Sequence, residues 1–581
     1  QIMEVYLNTI SLGNNTAGVQ AAANLYYGKD VSELNVAECA SIVSITQNPT
    51  KYNPFTNYDN LVERTQTCLY LMHEQGYLSD EEYEEASNYQ LVIAEDTGGQ
   101  VNTYTDWSWF TEQVISDVLE DLGAEKGYTE EEAYDLLYNS DLRVYTTCDV
   151  EMQDYLEKAF NVDTNSTIFP AVINEEYPEG DFVVLGLDGQ IKAIAGSDRT
   201  KTGARTFNRA RDAVRHPGST IKPIGAYALG VEYGLVNWST MLNNSPLYQK
   251  QDMVIRDEDY CRKNGLMGLS DKQLRAYPNA WRSWPRNYGG NYGDNSDVPL
   301  WNGLARSLNT IAVRVGDLVG ASNIFNFVYN TLQLNTLDPV NDVGLAQMVM
   351  GSQTHGVTPT ALAAAFQIFY DGQYTTPHLY TRVLDRDGNI YLENNSTSYQ
   401  ALTPDTAYVM NRLLKNVLYS SVGTAGGRYP NSNGMEAFGK TGTASDEKDL
   451  WFVGGTPYYV TAVWWGYDAP YDMTKTLGKQ QAKTRTCVMA WKALMEQVQA
   501  NLPYKAFPTS AGVVERRYCT QSGLLAGGSC PSTAVGYYRA DDLPGTCNYS
   551  HAAAPAAAAP AETTAPEQAV IPADTGNQDT D

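Results

Sequence analysis

The chain has 581 residues, 43% of them apolar and 11% aromatic, enough for about two to four globular domains with buried cores. Forty basic against sixty-eight acidic residues leave a net charge of −28, which excludes binding of nucleic acid or an anionic membrane surface through a basic face. No apolar run approaches a membrane span, eight cysteines form no C-x-x-C, and the histidines at 73, 216, 355, 378 and 551 form no H-E-x-x-H, so no zinc site, metal or cofactor is expected.

The sequence opens with Gln1-Ile2-Met3-Glu4 in what reads as mid-helix, without an initiator methionine. The natural amino terminus, with any anchor or signal, is therefore expected upstream. Residues 1–90 read as helices: a first turn to Asn8, a Gly13-Asn14-Asn15 loop, a small-residue helix over Gly18–Tyr27, and helices over Leu34–Ile45 and Leu61–Gln75. Ser79-Asp80-Glu81-Glu82 then caps another helix with an acidic first turn. Residues 91–180 mix short helices and turns and read as a linker region, with a capped start at Thr129-Glu130-Glu131-Glu132 and strand-like alternation over Leu142–Thr147. A sheet begins with Phe182–Ala195, a hairpin turning at Asp188-Gly189. Residues 181–505 read as the main domain and 506–550 as an extension holding Cys519, Cys530 and Cys547, where one disulfide and free thiols stand as alternatives. Residues 551–581, rich in alanine, proline, threonine and acid, have no packable face and read as a disordered tail.

Three segments carry candidate chemistry. In His216-Pro217-Gly218-Ser219-Thr220-Ile221-Lys222-Pro223 a helix start stacks residues i and i+3, so the Lys222 amine reaches the Ser219 hydroxyl as base to nucleophile. Pro223 suits a first turn, although it biases Lys222 away from regular helix. Leu304, Leu308, Ile311 and Val315 recur at helical spacing, placing Ser307 and Asn309 on one core-packed helix. Ser307 is a candidate proton relay between Lys222 and a leaving amine, and Asn309 a support for the lysine or a substrate amide. In Phe438-Gly439-Lys440-Thr441-Gly442-Thr443-Ala444 the residues lie on a strand beside a hairpin of Leu450–Val453 and Tyr458–Trp465 that turns through Gly454-Gly455-Thr456-Pro457. Lys440 is a second cation that lowers the Lys222 pKa and attracts a substrate carboxylate, Thr441 and Thr443 offer hydroxyls to it, and Gly442 admits an extended peptide. The backbone N–H groups of Ser219 and Thr443 would form an oxyanion hole.

S-x-x-K, S-x-N and K-T-G in this order, with 88 residues from Ser219 to Ser307 and 133 from Ser307 to Lys440, form the set found in penicillin-binding proteins and class A β-lactamases. The chain resembles the class A, bifunctional penicillin-binding proteins in particular. The resemblance is carried by Leu142–Thr147 with Met152-Gln153, Phe207-Asn208-Arg209-Ala210, Pro285-Arg286-Asn287-Tyr288, Val357-Thr358-Pro359 with Ala363–Phe366, Gly423-Thr424-Ala425 and Asp449–Gly454. It implies an α+β multidomain chain, with an antiparallel sheet flanked by helices in the transpeptidase domain at 181–505. It also implies that Ser219 attacks the bond between two terminal D-alanines of a peptidoglycan stem peptide, that an amine of a neighbouring stem resolves the acyl-enzyme, and that penicillins and other β-lactams acylate Ser219. Catalytic roles pass to Ser219, Lys222, Ser307, Asn309 and Lys440, and substrate-binding roles to Thr441, Gly442 and Thr443.

Residues 1–90, through Ile2–Asn8 and Gly18–Ala23, resemble the carboxy-terminal end of that family's lysozyme-like glycosyltransferase domain. The two catalytic glutamates of that domain precede this point, so Glu4 takes no such role. The parent is expected to polymerise glycan from lipid II behind an upstream membrane anchor, at the extracytoplasmic face of a bacterial membrane. A rapidly hydrolysing β-lactamase, a D-Ala-D-Ala carboxypeptidase and a non-catalytic wall-binding scaffold are the competing readings.

Overall fold

The computed structural model describes residues 2–94, 107–164, 168–169, 177–249, 282–426, 434–474 and 485–551, except positions 15, 17, 202, 204 and 205, with a few further residues between 255 and 273. The tail expected beyond His551 lies outside the described residues.

Helices Ile2–Thr9, Val19–Tyr27, Val36–Ile45, Tyr58–Glu74 and Asp80–Asn88 build the amino-terminal part. They enclose their own apolar core around Leu25, Tyr26, Ile42, Leu61 and Leu69. The capping box at Ser79 and Glu82 forms, and two more not read from sequence start the turns after Asp30 and Asn35. Among the described residues no single helix is long and apolar enough to cross a membrane.

The main domain is built on a five-stranded antiparallel sheet in the order Phe438–Thr443, Asp449–Gly455, Tyr459–Gly466, Glu179–Gly186, Ile191–Ala195. Both expected hairpins are present, joining Glu179–Gly186 to Ile191–Ala195 at Asp188-Gly189 and Asp449–Gly455 to Tyr459–Gly466 at Thr456-Pro457. Side chains alternate across a strand, so neighbouring residues report opposite faces. Phe452 packs edge-on against Trp491 of the helix Arg485–Val498, whereas Trp451 donates its indole N–H to the His216 carbonyl at 2.9 Å. Helices thus cover one face and the Ser219 segment the other, and the central strands Asp449–Gly455 and Tyr459–Gly466 are buried along nearly their whole length because neither face meets water.

Residues 109–160, read as linker, contribute to this same core. Trp109–Lys126 and Val150–Phe160 bury Phe110, Val118, Leu122, Leu156 and Phe160 with the sheet residues. Gln153 does more: its amide accepts from the Ile194 N–H and donates to the Ile194 carbonyl, both at 2.8 Å. One edge of the sheet is thereby closed by a side-chain amide. The strand Arg143–Thr146 pairs with Tyr380–Leu384, which a local alternation signal shows only as an isolated strand. The linker reading failed because the partners of these apolar stripes lie far away in sequence.

The extension is a hairpin of Val513–Cys519 and Thr533–Arg539. It docks on the main domain through Tyr518, whose hydroxyl accepts from Trp301 Nε1 at 2.8 Å, and through Ser239, which donates to the Gly523 carbonyl at 2.6 Å. Of the two alternatives left open for its cysteines, the structure has free thiols.

Leu156 is fully buried, so Leu156→Ala removes packing worth about 2–5 kcal/mol. Urea unfolding followed by tryptophan fluorescence, which reads the fully buried tryptophans 451, 464, 465 and 491 among others, is expected to shift to lower urea. An unchanged midpoint would mean that Val150–Phe160 is not part of the sheet's core.

Candidate active site

The Ser219 segment is not a regular helix. Gly218–Ile221 is a 3₁₀ turn, Pro223–Tyr227 a wider π turn, and only Ala228–Glu232 is α-helical. Lys222 takes helical torsions in spite of the following proline, and Pro223 sits where its missing N–H is not needed. Gly218 has φ +50°, and a Cβ there would lie 2.3 Å from the Thr443 carbonyl oxygen. A Cβ on Gly442 would meet the Pro217 carbonyl oxygen at 2.6 Å. Glycine at both places lets the Ser219 turn lie directly on the Lys440 strand. At Gly442 the absence of a side chain thus serves packing inside the domain.

The single helix expected through Leu304 and Val315 is also corrected. It is two helices, Leu300–Ala305 and Asn309–Val319, broken at Ser307, which stands at φ +57°. Leu308 cannot cap the second helix, and the Asn287 side-chain oxygen does so from afar, accepting from the Asn309 N–H at 2.8 Å. Asn287 Nδ2 in turn donates to Asn244 Oδ1 at 3.1 Å. The left-handed turn aims both the carbonyl and the hydroxyl of Ser307 at the lysines.

Lys222 Nζ donates to the Ser307 carbonyl at 2.7 Å, Ser307 Oγ at 3.2 Å and Asn309 Oδ1 at 2.5 Å. Lys440 Nζ donates to Ser307 Oγ at 2.9 Å and to the Thr441 carbonyl at 2.9 Å. Asn309 Nδ2 donates to the Arg286 carbonyl at 2.6 Å, which fixes the amide with its oxygen toward Lys222. The direct Lys222–Ser219 hydrogen bond expected from their spacing is not made, and among the described residues the Ser219 hydroxyl has no hydrogen-bond partner. The three sequence segments nevertheless meet around one point, Ser307 Oγ.

Both lysines are wholly buried. Burial, and then the Lys440 charge, push Lys222 well below the usual lysine range. Burial lowers Lys440 to about 7.

Above the lysines opens a cavity of about 1420 Å³ lined by Ser219, Ser307, Asn309, Thr424, Thr441 and Thr443 among others. Lys222, Lys440 and Gly442 form its floor from below rather than its lining. The Lys440 strand is the open edge of the five-stranded sheet. Thr424 and Thr441 share a hydrogen bond between hydroxyls at 2.7 Å, and the Tyr288 hydroxyl crosses the mouth to Glu447 at 3.0 Å. Reading the sequence gave no role to Thr424, Asn287 or Tyr288, though each stands in a stretch that carried the family resemblance.

A penicillin-binding protein transpeptidase domain model matches residues 266–483, and a transglycosylase model matches residues 1–73. Penicillin-binding protein 1A of Clostridium acetobutylicum is 32% identical over 532 residues, covering 89% of this chain and 61% of that protein. Penicillin-binding protein 1A of Clostridium tetani is 30% identical over 570 residues, covering 94% of this chain and 68% of that protein. The chain belongs to the class A penicillin-binding proteins. It spans about three fifths of the length of the first of these relatives. Ser219 and Lys222 lie ahead of the range matched by the transpeptidase model, and in fold the chain is similar to the crystal structure of penicillin-binding protein 1A from Haemophilus influenzae, at TM-score 0.68 and 21% identity, covering 94% of this chain and 91% of that one.

Gly442→Ala forces backbone or the Ser219 turn to move, which typically costs about 1–3 kcal/mol. Denaturant unfolding is expected to show that loss, while Gly528→Ala, where no atom lies within 4 Å of the added Cβ, leaves stability unchanged. Equal stability of the two variants would contradict the close contact.

Proposed function

We propose that this chain is a peptidoglycan D,D-transpeptidase that works through an acyl-enzyme on Ser219. The observation that carries the reading is the convergence of Lys222 and Lys440 on Ser307 beneath an open sheet edge and a serine with a free hydroxyl. A lysine pushed well below its usual range gives up its proton more readily than an exposed one, and once neutral it has a lone pair for the Ser219 proton. In that state Lys222 keeps two hydrogens for its shortest contacts, the Ser307 carbonyl and Asn309, and the lone pair is left for the cavity side. In that state Ser307 Oγ accepts from Lys440, so its own hydrogen is available to a leaving nitrogen in the cavity.

A stem peptide ending in D-Ala-D-Ala would lie along the Lys440 strand by backbone pairing, with its carboxylate at Thr441, Thr443 and Thr424. Ser219 then attacks the carbonyl between the two D-alanines, held by the N–H groups of Ser219 and Thr443, and the terminal D-alanine leaves with a proton passed through Ser307. An amine from a second stem reverses the sequence and forms the cross-link. β-Lactams enter the same cavity and acylate Ser219. The transglycosylase match at residues 1–73 supports a whole protein that also polymerises glycan from lipid II, anchored at the extracytoplasmic face of the membrane.

A fluorescent penicillin is expected to leave a long-lived adduct mapped by mass spectrometry to Ser219 and lost in Ser219→Ala. Absence of any adduct would sink the reading and favour a scaffold, and fast turnover would favour a β-lactamase. Product analysis with a D-Ala-D-Ala peptide and an amine acceptor separates cross-linking from carboxypeptidase release.

Acylation should fall as pH drops, because protonation of Lys222 removes the base. Lys440→Met takes away the second cation that holds Lys222 down, so Lys222 keeps its proton to higher pH and the acid limb of the rate profile moves upward. A limb that stays in place would show that the two amines do not act on each other.

A further inference from the structure

The hairpin extension ends in an arrangement that the transpeptidase reading leaves unused. Cys519, Cys530, Cys547 and His551 bring their ligand atoms within 4.8 Å of one another. His551 Nε2 lies 3.1 Å from Cys547 Sγ and 3.4 Å from Cys519 Sγ. Tetrahedral zinc, with Zn–S near 2.3 Å and Zn–N near 2.0–2.1 Å, sets its ligand atoms roughly 3.5–3.8 Å apart, so small side-chain movements suffice to close on an ion. Cys519 and Cys547 are buried, and Cys530 and His551 half-buried, as in a site with no open position.

Three chain segments supply the ligands. Cys519 ends the first strand of the hairpin, Cys530 closes a turn just ahead of the second, and Cys547 and His551 come from the segment beyond it. That last segment is tied back by Leu525 N–H to the Gly545 carbonyl at 3.0 Å, Cys547 N–H to the Leu525 carbonyl at 2.8 Å and the Ser529 hydroxyl to the Tyr549 carbonyl at 3.5 Å. The Gly527 N–H donates to Cys530 Sγ at 3.2 Å, the kind of contact that stabilises a thiolate.

The core of this module is too small to hold it. From residue 508 onward the described buried apolar residues are Tyr518, Cys519, Tyr538 and Cys547, and two of those four are the cysteines themselves. Modules with so little buried apolar surface are usually held by disulfides or a structural metal. A disulfide would take two of the sulfurs and leave the third beside an imidazole. A metal takes all four.

The geometry points to a closed, structural zinc site formed by Cys519, Cys530, Cys547 and His551, which fastens the carboxy-terminal segment to the hairpin. Binding releases the thiol protons and joins three thiolates and a neutral imidazole to one Zn²⁺. The absence of a zinc site expected from the spacing of the histidines is thereby reversed: Cys547-x-x-x-His551 was the local signal, obscured because its two partners lie 17 and 28 residues before Cys547. The clamp also braces the catalytic side of the domain, since Tyr518, next to Cys519, holds Trp301 of the helix that leads into Ser307.

The full chain, purified under reducing conditions, supplied with Zn²⁺ and dialysed, is expected to retain one zinc per chain by plasma mass spectrometry. Cobalt in its place should give the d–d and thiolate charge-transfer absorption of a tetrahedral site. Cys530→Ser and His551→Ala should lose the metal while still forming the penicillin adduct, and Cys39→Ser, outside the cluster, should keep it. Retention of no zinc by the reduced wild-type chain would overturn the assignment, as would a disulfide between two of the three cysteines mapped in the metal-free protein as first purified. Because the readout is metal content, these results are independent of whether the transpeptidase reading holds.

Discussion

Two lysine amines buried, among the described residues, without a carboxylate beside them are the constraint around which the Ser219 side of this domain is arranged. Burying an ammonium group away from water is costly, and the domain meets the cost in two ways: by lowering the lysines' proton affinity and by giving their hydrogens oxygen partners. Ser307 supplies most of those partners at once, with its carbonyl to one lysine and its hydroxyl to both. Only a left-handed turn directs both groups to the same side, which is why the polypeptide breaks its helix there. The break then leaves a helix start without a local cap, and Asn287 fills that need from another segment. Each irregularity follows from the one before.

The sheet contributes an asymmetry. Its Ile191–Ala195 edge is closed by the Gln153 amide and by helices from the region before it. Its other edge carries Lys440 and opens on the cavity beside Ser219. An exposed strand edge is ordinarily a hazard for aggregation. Here the edge is short and lies in a cleft crossed by the Tyr288–Glu447 hydrogen bond.

The carboxy-terminal hairpin belongs to this arrangement through Trp301 and Tyr518, and through Ser239, which bonds both Gly523 and Tyr538. It stiffens the helix Leu300–Ala305, whose end positions Ser307 and whose Ala305 carbonyl accepts the Thr424 N–H at 3.1 Å. A peripheral module thus shares a helix with the centre of the site.

Wherever a property depends on residues close together in the chain, it was legible from the sequence alone. The capping boxes at Ser79 and Thr129, the two hairpins, the order of the three catalytic segments and hence the family all rest on spacing, turn chemistry and periodicity. Tertiary structure decided whatever required a partner from elsewhere: the left-handed Ser307, the detour of the Lys222 amine away from Ser219, the packing role of Gly442, the place of residues 109–160 in the core, and the meeting of three thiols with His551. Periodicity records which face of a segment is apolar, but not what covers it. A buried charge or an over-tight backbone contact exists only once the chain has closed around it.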